Sequence, residues 1–123
     1  LPARREELRF VNAGGKLKNV LAPCVPDTAG DAVLRMHRES EPPSGTVVLA
    51  HPGGKKVLEA IRARIPGEAL TESTAVLQAH GNMSSPSVLF ALEKWLRNGK
   101  GDRAWLTAFG AGFSCHSCFC ERP

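Results

Sequence analysis

The 123 residues contain no Tyr, and their aromatic side chains are few, five Phe and two Trp. Lys and Arg outnumber Asp and Glu by 16 to 12, for a formal charge of +4. Yet only Arg4-Arg5 and Lys55-Lys56 stand side by side. A basic stripe interleaved with aromatics is therefore missing, which argues against the stacking platforms that hold single-stranded nucleic acid. No apolar run approaches the ~20 residues of a membrane-spanning helix. No charged segment followed by an apolar one marks a secretory leader, so a cytoplasmic protein is the expectation. Internal repeats and low-complexity tracts are also lacking. The opening Leu1, without a Met before it, points to a processed piece or a cut chain.

With 42% hydrophobic and 23% charged residues the chain reads as globular rather than disordered. Its length suffices for one domain, residues 1–123, with one core, and is short for an enzyme of two large layers. Of the four Cys, three crowd the end as Cys115-His116-Ser117-Cys118-Phe119-Cys120. A structural zinc site normally uses two separated pairs of ligands. On a strand, moreover, Cys115 faces away from His116, Cys118 and Cys120. No metal is expected; small reduced thiols filling a strand are.

Taken in order, Leu8–Val11 and Lys16–Leu21 flank Gly14-Gly15 as a hairpin. Ala29, Ala32, Val33 and Met36 recur at helical spacing, with Asp27 or Thr28 available as cap. Thr46–Ala50 is a β-branched run suited to a strand buried on both faces. Val57, Leu58, Ile61 and Ile65 form the stripe of a helix that begins at Lys55. Thr71–His80 predicts a second helix, capped by Thr71 or Ser73 and ended by Gly81. Ser85-Pro86 starts a third, with Val88, Leu89, Leu92, Trp95 and Leu96 on its apolar face. Arg103–Ala108 and Ser114–Cys120 read as antiparallel strands joined by the glycine turn Phe109-Gly110-Ala111-Gly112-Phe113. The fold class is α/β, a mixed sheet with packed helices. Read alone, His37 is a surface residue, His80 a helix end, His116 part of the last strand, and Trp95 and Trp105 core.

Two motifs carry chemistry. His51 follows the buried strand Thr46–Ala50 and precedes Pro52-Gly53-Gly54-Lys55-Lys56; Asn82 lies in Gly81-Asn82-Met83-Ser84-Ser85. An imidazole and an amide placed at the ends of core elements are what a site needs to hold a developing oxyanion. In this order, the two motifs resemble the second half of a type III polyketide synthase of the chalcone and stilbene synthase family, in its bacterial form and with the thiolase fold. The likeness runs element by element from Thr46 onward and is looser over Leu8–Glu39.

The resemblance implies that His51 and Asn82 are catalytic and that Phe109, Gly110, Ala111, Gly112 and Phe113 form the active-site loop. Ala108 and Ala111 replace the first Gly and the Pro of the plant pattern Gly-Phe-Gly-Pro-Gly. The chemistry implied is decarboxylative Claisen condensation of malonyl-CoA onto an acyl starter held on a Cys, with no further cofactor. Gly53, Gly54, Lys55 and Lys56, at a helix start, are placed to meet CoA. None of the four Cys matches the setting of the family's nucleophile. The chain therefore reads as a C-terminal half, inactive in condensation alone, whose partners are the missing N-terminal half, CoA thioesters and, in the full-length protein, a second copy. Two other readings are a half of a ketoacyl-carrier-protein synthase III, although Pro-Gly-Gly after the histidine departs from its usual Gln-Ala-Asn, and a non-catalytic thiolase-like interaction module.

Overall fold

Alternation along Val47–Ala50 sends Val48 and Ala50 to one side and Leu49 to the other. The computed structural model, which describes residues 2–123, buries all three. Nine principal elements follow a short 3-10 turn at Pro2–Arg4: β1 Leu8–Ala13, β2 Lys16–Leu21, α1 Val25–Ser40, β3 Val47–Ala50, α2 Lys55–Arg64, α3 Thr71–His80, α4 Pro86–Asn98, β4 Arg103–Gly110 and β5 Ser114–Glu121. The strands form a separate β1-β2 hairpin and a mixed sheet in the order β3-β4-β5. β3 runs parallel to β4, with Ala50 opposite Thr107. β5 returns antiparallel, with His116 opposite Ala108 and Cys118 opposite Leu106.

The sheet separates two apolar clusters. On one face Val48, Ala50 and Trp105 pack with Ala29 and Val33 of α1 and Val57, Leu58 and Ile61 of α2. On the other, Leu49, Ala104 and Leu106 pack with Trp95 of α4. The stripe foreseen for α2 is thus buried. The stripe foreseen for α4 divides instead. Ser87, Ala91 and Trp95 face inward, because two small residues one and two turns before the tryptophan let the helix approach the sheet closely. Leu89 and Leu96 stay 59% and 43% exposed on its outer side.

Two predicted caps are redirected by tertiary contacts, and a third holds its position. Cys24, not Asp27 or Thr28, occupies the N-cap of α1, and the Thr28 hydroxyl donates to Glu7 at 2.5 Å. Leu70, in left-handed backbone, precedes α3, while Ser73 turns inward to β3. Ser85 stands at the cap position of α4 without a side-chain bond, and Ser87 accepts the Met83 N–H at 2.8 Å. His37 is half-buried, not a surface residue: its ring meets Trp105 edge-on at 5.2 Å, because the same α1 face that buries Val33 also carries it. Leu1 lies outside the described residues, and Glu7 is tied to Arg4 as well as Thr28.

The end of α4 is closed from the far end of the chain. The Arg122 guanidinium lies 4.4 Å from the centroid of the Trp95 ring. It donates to the carbonyls of Leu96 at 2.6 Å, Gly99 at 2.9 Å, Gly101 at 2.9 Å, and Trp95. Carbonyls that a helix C-terminus leaves unpaired are thereby satisfied by a cation, the charge that the helix dipole favours there. Among the described residues no helix is long and apolar enough to cross a membrane.

Candidate active site

β3 delivers His51 to the edge of the core. The His51 N–H continues the parallel ladder by donating to the Thr107 carbonyl at 2.8 Å, and the Gly53 N–H then returns to the His51 carbonyl at 2.8 Å. This three-residue turn throws the chain away from the sheet and into α2, leaving the imidazole at the strand end. The residue is 8% exposed, and its ring meets Phe109 edge-on at 5.3 Å. Phe109 in turn lies parallel to Phe113 at 6.3 Å. Burial pushes the His51 pKa below the usual imidazole value. The ring is therefore neutral near pH 7, with one N–H to donate and one nitrogen to accept.

Asn82 comes from the other motif. Gly81 ends α3 with φ of 70°, a conformation that side chains rarely adopt. Asn82 follows, exposed, with its Oδ1 accepting the Ser84 N–H at 2.8 Å. An N–H can meet only the oxygen of the amide, so this bond decides which end is nitrogen. Nδ2 is then left to donate, and one hydrogen points along a long 3.4 Å contact to the Gly53 carbonyl. Ser84 is held at φ of 65° to make the geometry work. His51 and Asn82 are thus tied through one glycine, whose N–H serves the first and whose carbonyl meets the second.

Both side chains open onto a cavity of about 390 Å³. Ser84 and Ser85 line it beside Asn82, and Ala108, Phe109, Gly110 and Ala111 form its floor. Ser114 and His116 of β5 line it too, and Leu8, Phe10 and Asn19 of the hairpin supply a further wall. Among the described residues no carboxylate, Lys or Arg lines it, and its two imidazoles are those of His51 and His116. A neutral imidazole and a fixed amide facing a partly apolar hollow can donate two hydrogen bonds to an oxygen that gains charge.

The predicted site residues fall into three sets. His51, Asn82, Phe109, Gly110 and Ala111 meet at the cavity. Gly53, Gly54, Lys55 and Lys56 do not line it: Gly53 braces it from behind, and Lys55 is exposed, 3.9 Å from Glu59. Phe109 and Gly110 belong to β4 rather than to a loop, Gly112 is exposed, and Phe113 is fully buried beneath the floor. The hydrophobic Phe113 is drawn into the core formed with Trp105 and Leu58, so it supports the cavity through Phe109 and does not line it.

Missed from the sequence were the hairpin wall, Ser84, Ser85 and His116. Leu8 and Phe10 share a strand parity that could have marked a common face, as could the hairpin register that sets His116 beside Ala108. Cys115 and Cys120 pack into different apolar clusters on opposite faces of the sheet.

Comparison with known proteins bears on this arrangement. The family pattern "3-Oxoacyl-[acyl-carrier-protein (ACP)] synthase III C terminal" matches residues 41–122, which includes both motifs. A protein named "Putative chalcone synthase" from Bacillus subtilis (strain 168) is 42% identical over 74 residues, 56% of this chain and 20% of that protein. Among solved structures, a fungal type III polyketide synthase, ORAS, superposes over 100% of this chain with a TM-score of 0.87 at 23% identity. CsyB complexed with CoA-SH superposes over the same 100% with a TM-score of 0.86 at 21% identity. At such identities the likeness is one of fold. This chain spans about one fifth of the Bacillus relative and 38% of each solved chain.

Proposed function

The chain belongs to the 3-oxoacyl-[acyl-carrier-protein (ACP)] synthase III C-terminal family and carries the thiolase-like fold of the C-terminal region of type III polyketide synthases, and from that premise we propose that it is the C-terminal half of such a synthase. The full-length enzyme condenses malonyl-CoA units onto an acyl-CoA starter. Loss of CO2 from malonyl-CoA leaves an enolate whose charge rests on the thioester oxygen. The neutral His51 N–H and the Asn82 Nδ2 donate to that oxygen. The enolate carbon then attacks the acyl carbonyl, and the thiolate that held the acyl group leaves. That thiolate belongs to a Cys in the N-terminal half, so this chain does not condense by itself.

One observation carries the reading: His51 and Asn82, 31 positions apart, open onto one cavity and are bound to the same glycine. The reading is supported by the outward Leu89 and Leu96 of α4, apolar surface of the kind another part of a protein covers. The start of α2, with Lys55 and Lys56, lies outside the cavity, where the phosphate end of CoA would extend; backbone N–H groups at a helix start suit such an anion. The reading further calls for a cytoplasmic homodimer with no resident cofactor.

Because the family match names a carrier-protein synthase, a carrier-protein-dependent condensing enzyme is the second reading. The test is malonyl thioester decarboxylation and acyl condensation by this chain and by the full-length product of the same gene, with CoA and carrier-protein substrates, each also as His51→Ala and Asn82→Ala. Condensation by the full-length protein, lost in both variants, is the expected result. Absence of activity on every acyl thioester would move the assignment to a non-catalytic thiolase-like module.

A further inference from the structure

His116 has no part in the oxyanion chemistry just described, yet it shares the cavity with His51. It projects from β5 on the face set by its pairing with Ala108, among residues that leave it room: a Cβ added at Gly110 would meet nothing within 4 Å. The Thr107 hydroxyl donates to the backbone carbonyl of His116 at 3.2 Å, which fixes the strand at this point and leaves the ring free. The surrounding wall of Ala108, Ala111, Leu8 and Phe10 offers an acyl chain apolar contact. An oxygen or nitrogen on that chain would give the imidazole a partner in place of water.

We propose that His116 is a specificity-determining residue that donates a hydrogen bond to a keto oxygen of the acyl chain and so favours 3-ketoacyl thioesters over plain alkyl ones. The proposal rests on the condensing-enzyme reading. Each condensation joins a two-carbon unit to an acyl carbonyl and leaves that carbonyl as a ketone two carbons from the new thioester. A second round therefore presents a polar chain, and an imidazole set apart from the oxyanion donors meets its ketone. A site built to hydrogen-bond such an oxygen rejects the analogue that lacks it, because its own polar group is left unpaired. His116 is exposed, so water relieves part of that penalty, and discrimination of about tenfold is expected rather than the far larger factors of closed sites.

Acetoacetyl-CoA and butyryl-CoA, equal in chain length and different by one ketone, are compared as acyl donors for the full-length gene product. His116→Leu is expected to lower the ratio of kcat/KM for the ketoacyl over the alkyl donor about tenfold, through KM, while His116→Gln, which still donates, retains most of it. An unchanged ratio in His116→Leu overturns the proposal. A second measurement separates it from the condensing-enzyme reading: carbethoxylation of His116 by diethylpyrocarbonate in the wild-type protein, followed by peptide mass, with exposed His80 as internal reference. Acetoacetyl-pantetheine must slow His116 modification more than butyryl-pantetheine does. Equal protection overturns the role of His116 whether or not turnover is seen, whereas selective protection without turnover upholds it and removes only the condensing activity.

Discussion

The Ser73 hydroxyl accepts the Ala50 N–H at 3.0 Å, one residue before His51, with both residues fully buried. β3 is bonded to β4 on one side only, and on its other side a helix side chain takes the place of a neighbouring strand. Glu68 extends the same edge more loosely, its carboxylate 3.4 Å from the Val48 N–H.

Ser73→Ala leaves the Ala50 N–H buried without a partner. Such a loss costs about 1–3 kcal/mol. A loss of unfolding free energy of that order, read from urea titration, is expected, with hydrogen exchange at Ala50 accelerated more than at Leu49, whose N–H direction alternates toward β4. Equal acceleration at both would mean general loosening instead.

Gly53→Ala tests the brace behind the site. The added Cβ would lie 3.1 Å from the Phe109 ring and 3.5 Å from the His51 ring. Phe109 must yield by a few tenths of an ångström, and the edge contact that orients His51 moves with it. Small misplacements of catalytic groups are costly, so kcat in the full-length protein is expected to fall about tenfold, with KM little changed. An equal rise in KM would place Gly53 in substrate binding instead.

Burial lowers the His51 pKa in the folded chain, so near pH 7 the group is neutral both folded and unfolded and has no effect on stability. As pH falls through the ordinary imidazole value, the unfolded chain takes a proton that the folded chain resists, and stability is lost until the folded value is passed. Urea midpoints at pH 7.5 and pH 5.5 should therefore diverge more for wild type than for His51→Gln. An equal divergence would assign the acid sensitivity to other groups.

Alkylation should rank the thiols. Burial raises the pKa of Cys115, and of Cys120, whereas Cys24 and Cys118 are exposed. The thiolate is the reactive form, so iodoacetamide at pH 8, followed by peptide mass, should label Cys24 and Cys118 first and Cys115 late. Early labelling of Cys115 would show that the β5 end opens readily.

His51 was legible because local rules agree there: a β-branched run, then Pro-Gly-Gly, places the imidazole at a strand end. Asn82 was legible because Gly81 marks the helix end before it. What escaped depended on distant partners. Thr28 and Ser73 are good local caps, but Glu7 and Ala50 claimed their hydroxyls. The period of α4 did not say that Ser87 and Ala91 would turn inward while Leu89 turned out, since small residues score weakly as apolar yet allow the closest approach. The hairpin wall was hidden for the same reason: its strands were readable, its seat beside the Gly112 backbone was not.

The grip of Arg122 on the end of α4 has a consequence for the order of events during synthesis. Residues 86–98 leave the ribosome before residue 122, so this helix emerges with the Leu96 carbonyl and the Trp95 ring without their arginine partner. Its final turn is expected to fray until the closing arginine arrives. Emergence of β5 with Arg122, rather than of the helix itself, would then set the moment at which this side of the sheet becomes protease-resistant.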